Sequence, residues 1–166
     1  MEKYIPDIYQ KSIYTIDYEQ LRKRGIKCIL FDIDNTLVPV YSKEIDDKLR
    51  NLFLNIKSLG FDPIIYSNNS FKRIELFKAN LGIDGYSYKT KIDTFLSKYK
   101  EPEIAIVGNQ MLTNIVIGNK VGITTILVNP ISKRDRVLEV GKRNKEKHIM
   151  DKLRTNNLFV KGRYYG

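Results

Sequence analysis

Apolar positions along the chain fall into two patterns, and the patterns alternate. Residues 27–34 open with Cys28, Ile29, Leu30 and Phe31, a continuous apolar run bounded by Gly25 and by polar residues. Such a run reads as a strand buried on both faces, as in a parallel sheet. Residues 44–59 change period: Ile45, Leu49, Leu52, Phe53, Ile56 and Leu59 recur at helical spacing and Gly60 closes the segment. Residues 61–66 predict a second strand. Ser70 is placed to cap a helix carrying Ile74, Phe77 and Leu81, stopped by Gly82. A short strand over 83–88 follows, then a small helix over 91–99 with Ile92, Phe95, Leu96 and Tyr99 on one side. Residues 103–108 repeat the buried-strand pattern, 110–119 predict a helix, and 124–129 the last strand. Residues 132–154 read as a charged helix anchored by Val137, Leu138, Ile149, Met150 and Leu153, with Gly141 as a point where it breaks.

The two ends are less regular. Residues 1–26 hold Tyr4, Ile5, Ile8, Tyr9, Ile13, Tyr14 and Ile16, too apolar for a free tail, and they predict a segment that wraps the domain edge. Within it, Asp17 followed by Gln20 has the form of a capping box for a short helix ending at Gly25. Residues 155–166 form a basic, aromatic tail.

Strands alternating with helices give an α/β fold of Rossmann-like, three-layer type. About five parallel strands are covered by helices on both faces, in one domain spanning 1–166. Ligands in such folds bind at the carboxyl ends of the strands. A chain of 166 residues fits one core of this kind.

Charge and composition add less. The net charge of +10 favours anionic partners: phosphorylated substrates, acidic lipid headgroups or nucleic acid. A solubilising surface explains it equally well. The stretch 142–147 with Lys152, Arg154, Lys161, Arg163 and the aromatic Phe159, Tyr164 and Tyr165 fits a grip on RNA or anionic lipid, or a charged helix with a docked tail. A single cysteine, Cys28, excludes an intramolecular disulfide and reads as a buried thiol. No apolar run is long enough to cross a bilayer and the N-terminus lacks the pattern of a secretory signal. A cytoplasmic protein, peripheral at most to a membrane surface, is the expectation. His148, the only histidine, lies far from every motif and reads as a solvated helix residue.

The candidate chemistry sits where the first strand ends. Asp32 and Asp34, two apart on a strand, project to one face. Two carboxylates brought together need a cation or a shared proton, and a hard divalent ion such as Mg²⁺ with oxygen ligands meets that need.

Asp32, Asp34 and Thr36 after a buried strand resemble the first motif of the haloacid dehalogenase superfamily. Ile65, Tyr66 and Ser67 resemble its second motif, Lys89 or Lys91 its third, and Gly108, Asn109 and Asn114 stand where its acidic fourth motif belongs. Longer phrases, among them residues 12–16, 32–38, 108–113 and 126–130, are similar to the YqeG-like branch of subclass IIIA, related to phosphatidylglycerophosphate phosphatases. The resemblance implies a Mg²⁺-dependent phosphatase. Asp32 would be the nucleophile that forms an aspartyl-phosphate. Asp34 would be the general acid and then the base. Ser67 and the backbone at Asn68 would bind the phosphoryl group, and Lys89 would neutralise it. The metal ligands would be Asp32, Asp34 and Asn109.

The pattern departs from the family in three places. Asn109 and Asn114 stand where the branch has aspartates, which removes charge from the metal site and leaves Lys89 without its acidic partner. Asn109 reads equally as a weak ligand and as a turn residue. Thr90, not proline, follows Lys89. No cap domain fits between Asp32 and Ser67 or between Ser67 and Lys89, so the site is open and suits a large or surface-borne substrate. Two other readings stay open: a catalytically weakened protein that binds a phosphorylated ligand or partner, and a protein associated with nucleic acid or ribosomes.

Overall fold

The computed structural model describes residues 2–132 and 140–155. Its strands are β1 (Ile8–Gln10), β2 (Cys28–Phe31), β3 (Asp62–Ser67), β4 (Asp84–Ser87), β5 (Ile104–Gly108) and β6 (Thr124–Val128). Its α-helices are α1 (Tyr18–Lys23), α2 (Asp47–Ser58), α3 (Phe71–Leu81), α4 (Ile92–Phe95), α5 (Val116–Val121) and α6 (Val140–Thr155). All strand pairs are parallel, in the order β1-β6-β5-β2-β3-β4.

The sheet has six strands, one more than the sequence pattern predicts. The extra strand is β1, inside the segment expected only to wrap the edge. It pairs with β6 through Ile8, Tyr9 and Gln10. Three residues of an edge strand are too few to establish a period of two, which is why the pattern does not reveal it. Asp17 caps α1 by accepting the Gln20 N–H at 3.0 Å, and Ser70 caps α3 through the Arg73 N–H at 3.3 Å. The helix expected over 91–99 is a single turn. That expected over 110–119 begins as a π-turn, Met111–Ile115, and becomes regular only in α5.

The helix expected over 132–154 is described from Val140 to Thr155. Gly141 lies in its first turn and does not break it within that span. Val137 and Leu138 lie outside the described residues, as does the tail from residue 156. Ile149 and Leu153 are buried and pack with Tyr9, Met111, Ile115 and Leu127, which docks α6 over the β1–β6 edge.

Every residue of β2 is buried, because helices cover both faces of the central strand. Ile29 and Phe31 face the larger core with Leu49, Phe53, Ile56 and Phe77 of α2 and α3. Cys28 and Leu30 face the opposite core with Ile64, Tyr66, Ile104 and Ile106. Burial pushes the Cys28 thiol up to about 12, so it stays protonated and inert.

The chain leaves β2 toward β3 and leaves β5 toward β6, in opposite directions. The loops after β2 and β5 therefore part, and the gap between them is the ligand-binding crevice of an open parallel sheet. Phe31 is level with Ile65 on one side and Val107 on the other, so Asp32, Ser67 and Asn109 all fall within two residues of the same edge.

Candidate functional site

Asp32 and Asp34 lie just past the end of β2, not on it. The chain turns sharply here. Asn35 has φ +59°, a left-handed conformation that asparagine tolerates better than most residues, and its N–H reaches the Val38 carbonyl at 2.7 Å. This turn sends the two carboxylates to different partners.

Asp32 is buried against β3. Its Oδ1 accepts the Ser67 hydroxyl at 2.6 Å and the Ile33 N–H at 2.8 Å, while Asn114 Nδ2 approaches Oδ2 at 3.3 Å. Burial raises its pKa to about 6, against the lowering effect of those hydrogen bonds; the charge of Asp34 adds to the rise. Oδ2 is the less engaged oxygen.

Asp34 is held from the other side. Arg73, in the first turn of α3, donates Nη2 to Asp34 Oδ1 at 2.7 Å and Nη1 to the Ser42 carbonyl at 2.7 Å. The Tyr41 N–H adds a second bond to Oδ1 at 3.1 Å. Both charged side chains are nearly buried, at 12% and 10% exposure, so the pair works in a medium of low dielectric. At Asp34 a positive charge is thus supplied by a guanidinium. Asp34 Oδ2 is buried and has no hydrogen-bond partner among the described residues.

The fourth-motif asparagines enter from the end of β5. Gly108 makes room for this: a Cβ there would sit 2.1 Å from Asn114 Cγ. Asn114, fully buried, passes under the strand end and joins Asp32 to the Tyr88 hydroxyl, which accepts from the same amide nitrogen. Asn109 is also buried. Its Nδ2 donates to the Asp34 carbonyl and to Thr36 Oγ1, each at 2.8 Å. Its Oδ1 accepts Arg143 Nη2 at 2.6 Å, and its backbone carbonyl accepts Arg143 Nη1 at 2.9 Å.

A divalent ion was expected on Asp32, Asp34 and Asn109. The first two offer a carboxylate and a backbone carbonyl, but Asn109 turns its N–H toward that carbonyl and its oxygen toward an arginine. In this arrangement the residues do not fit the ion. Among the described residues there is likewise no group of three or more His, Cys, Asp or Glu side chains that could hold a metal.

Of the residues named from sequence, Asp32, Ser67 and Asn114 converge through direct bonds, while Asn109 meets Asp34 through the Asp34 carbonyl. Asn68 is exposed at the mouth of the site, where Asn69 donates to Ser67 Oγ at 2.7 Å. Lys89 is exposed two residues beyond Ser87, which is level with Ser67. Its backbone N–H meets Ser87 Oγ at 3.2 Å, and its ammonium makes no hydrogen bond or ion pair with a described residue. Lys91 is also exposed, just ahead of α4.

Sequence reasoning missed Arg73, Tyr88 and Arg143. Each arrives from a different element, and nothing in local spacing separates Arg73 or Arg143 from the other basic residues. A hint existed for Arg73 alone: the cap at Ser70 fixes where its side chain leaves α3.

The chain is similar to known proteins. Over 159 residues the chain is 31% identical to a Bacillus subtilis (strain 168) protein described as probable phosphatase YqeG, covering 91% of this chain and 92% of that one. It is 29% identical over 147 residues to phosphatidylglycerophosphate phosphatase 1, chloroplastic/mitochondrial, of Arabidopsis thaliana, spanning 79% of this chain and 42% of that protein. Against the chloroplastic enzyme of the same name from Chlamydomonas reinhardtii, identity is 26% over 144 residues, 77% of this chain and 54% of that one. Residues 1–132, which contain all the motif residues above, match the family described as mitochondrial PGP phosphatase, and the chain belongs to that family.

Proposed function

We propose that the chain is a phosphomonoester hydrolase of the haloacid dehalogenase type, working through an aspartyl-phosphate on a phosphate borne by a lipid. The observation that carries the chemistry is the division of labour between the carboxylates. Asp32 is fixed through Oδ1 and keeps Oδ2 for attack; Asp34 is fixed through Oδ1 and keeps Oδ2 for a proton.

In the first step an Asp32 oxygen forms a bond to phosphorus while the ester P–O bond breaks, and the leaving oxygen takes a proton from Asp34. In the second step Asp34 accepts a proton from water as that water attacks the aspartyl-phosphate. Inorganic phosphate leaves and the Asp32 carboxylate is restored. Ser67, the backbone at Asn68, and Lys89 swinging inward supply donors and positive charge to the phosphoryl oxygens. The Mg²⁺ requirement implied by the family resemblance depends on rotation of the Asn109 amide.

The lipid side of the reading rests on the surface around the site. A groove of about 660 Å³ beside Arg73 is lined by Tyr41, Lys43, Lys72 and Leu76. Phe71 and Tyr41 there are 79% and 50% exposed, and Ile131, bonded to the Asn35 carbonyl, is 46% exposed on the same edge. Apolar side chains beside lysines suit an anionic lipid surface. The phosphatidylglycerophosphate phosphatases among its relatives make that lipid the first to test. Among the described residues no helix is long and apolar enough to cross a membrane.

The test is phosphate release from an aryl phosphate and from phosphatidylglycerophosphate in vesicles. The expected result is turnover that favours the lipid and falls by about 10³-fold or more in Asp32→Asn. Equal rates in the two proteins would refute the mechanism. A protein that binds phosphate without turnover is the second reading, favoured by the Asn109 N–H on the Asp34 carbonyl. Tight phosphate binding with no release from either ester would establish it.

A further inference from the structure

Arg143 lies on α6, outside the residues matched to the family, yet it grips the fourth-motif Asn109 at two points, the side-chain Oδ1 and the backbone carbonyl. We propose that Arg143 is a positioning residue: it holds the Asn109 amide turned away from cation ligation, so that the docking of α6 governs access of a divalent ion to the Asp32–Asp34 site. The inference rests on reading Asp32, Asp34 and Asn109 as one site, as above.

The orientation of the amide is determined from both ends. Exchanging Oδ1 and Nδ2 of Asn109 would set an N–H against the guanidinium N–H at 2.6 Å and an oxygen against the Asp34 carbonyl at 2.8 Å. Donor would face donor and acceptor would face acceptor. Thr36 accepts the Asn109 amide through a hydroxyl that can reverse its role, so it does not resist the exchange. The Asp34 carbonyl would tolerate the exchange only if a cation came between the two oxygens. Arg143 would not tolerate it at all. The guanidinium is therefore the contact that decides.

Arg143 is itself well anchored. Its Nη1 donates to Glu146 Oε2 at 2.8 Å, and Glu146, 6% exposed, accepts the Leu112 N–H on Oε1 at 3.0 Å. Leu153 and Ile149 fix the rest of the helix against Met111 and Leu127. The same segment, residues 109–115, thus carries the motif asparagines and receives α6. Undocking of α6 frees the Asn109 oxygen, and an ion that takes this oxygen displaces Arg143. By linkage, ion binding and α6 docking oppose each other.

The experiment measures Mn²⁺ affinity of the full chain by electron paramagnetic resonance, without substrate. Wild type is compared with Arg143→Met, which removes the guanidinium, and Arg143→Lys, which keeps a charge but not the two-point grip. Arg143→Met is expected to bind Mn²⁺ about tenfold more tightly, and Arg143→Lys about threefold more tightly. The gain is expected to vanish when Asp32→Asn is added to Arg143→Met, which places the ion at this site. Unchanged or weaker binding in Arg143→Met overturns the proposal. So does Arg143→Lys matching wild type while only Arg143→Met gains, since Arg143 would then act as a distant charge. A gain that survives Asp32→Asn overturns it as well. Damage to the fold does not imitate the expected result, because it would weaken binding. Turnover of an aryl phosphate and of phosphatidylglycerophosphate in vesicles is followed separately: tighter Mn²⁺ binding with turnover of neither ester supports the positioning role while removing the phosphatase reading.

Discussion

The two sides of the candidate site are built on different terms. Beside β2 and β3, charge is met by charge and hydroxyl: Asp34 by Arg73, Asp32 by Ser67. Each carboxylate is held through Oδ1 and leaves Oδ2 less engaged. Beside β5 the same edge is neutral. Two asparagines take the acidic positions and their amides are consumed by internal hydrogen bonds, to Asp34 and Thr36 in one case and to Asp32 and Tyr88 in the other. Two carboxylates with one lightly engaged oxygen each thus stand next to a pair of asparagines whose amides are already bonded. Asymmetry of this kind separates the capacity for covalent chemistry from the capacity to hold an ion, and the two can be perturbed independently.

The sharpest way to break the charged side is to remove its built-in cation. Arg73→Met keeps much of the packing over Phe77, where the guanidinium sits 5.2 Å from the ring centroid, but leaves Asp34 with only the Tyr41 N–H on Oδ1. Breaking one partner of a buried pair costs about 3–5 kcal/mol. Urea unfolding of the two proteins at neutral pH should show a loss in that range. A loss below about 1 kcal/mol, the value of an exposed pair, would mean that solvent already neutralises Asp34 and that the contrast between the two sides is overdrawn.

That contrast also separates what the sequence reveals from what it hides. The strands that carry the site announce themselves as continuous apolar runs because both faces of the sheet are covered, and the caps at Asp17 and Ser70 are local enough to read from spacing. Asp32, Ser67 and Asn109 follow, since each stands directly beyond such a run. The partners do not. Arg73 is 39 residues from Asp34 and Arg143 is 34 residues from Asn109, and each is one basic residue among 29. Which of them meets a carboxylate is decided by helix docking, a tertiary property without a local period. Lys89 shows the converse. The motif pattern names it, but the turn after β4 leaves it in solvent, and the Tyr88 hydroxyl beside it is what reaches Asn114.

A smaller effect tests the burial of the Asp32 carboxylate. Burial holds the folded-state pKa of Asp32 at about 6, above the unfolded value of about 4. The folded protein therefore binds the proton more tightly than the unfolded chain. Its stability is intact below about pH 4 and declines as pH rises through about 6, by up to about 3 kcal/mol for a shift of this size. Asp32→Asn removes that decline but sets two amide groups against each other at Asn114, so the variant should gain about 1–2 kcal/mol at pH 7 and lose about 1 kcal/mol at pH 4, where there is no decline left to remove. Chemical denaturation with chelator present, at both pH values, measures it. A substitution that destabilises at pH 7 would show that Asp32 is held by its hydrogen bonds with Ser67 and Ile33 more than it is penalised by burial.

The smallest effect converts the neutral side into a copy of the charged one. Asn109→Asp keeps the Arg143 contact and gains an ion pair, but it loses both amide N–H groups and points an oxygen at the Asp34 carbonyl. Thr36 can reverse its hydroxyl and donate; the Asp34 carbonyl cannot. Without a divalent ion the variant should lose about 1 kcal/mol, the balance of an ion pair gained and an acceptor left unpaired. With an ion between the two oxygens the opposition becomes ligation. The melting temperature of Asn109→Asp should therefore rise on adding Mn²⁺ by more than that of wild type, and the loss should be recovered. Equal responses of the two proteins to the ion would mean that the missing carboxylate is not what closes this half, leaving the grip of Arg143 as the barrier that both proteins share.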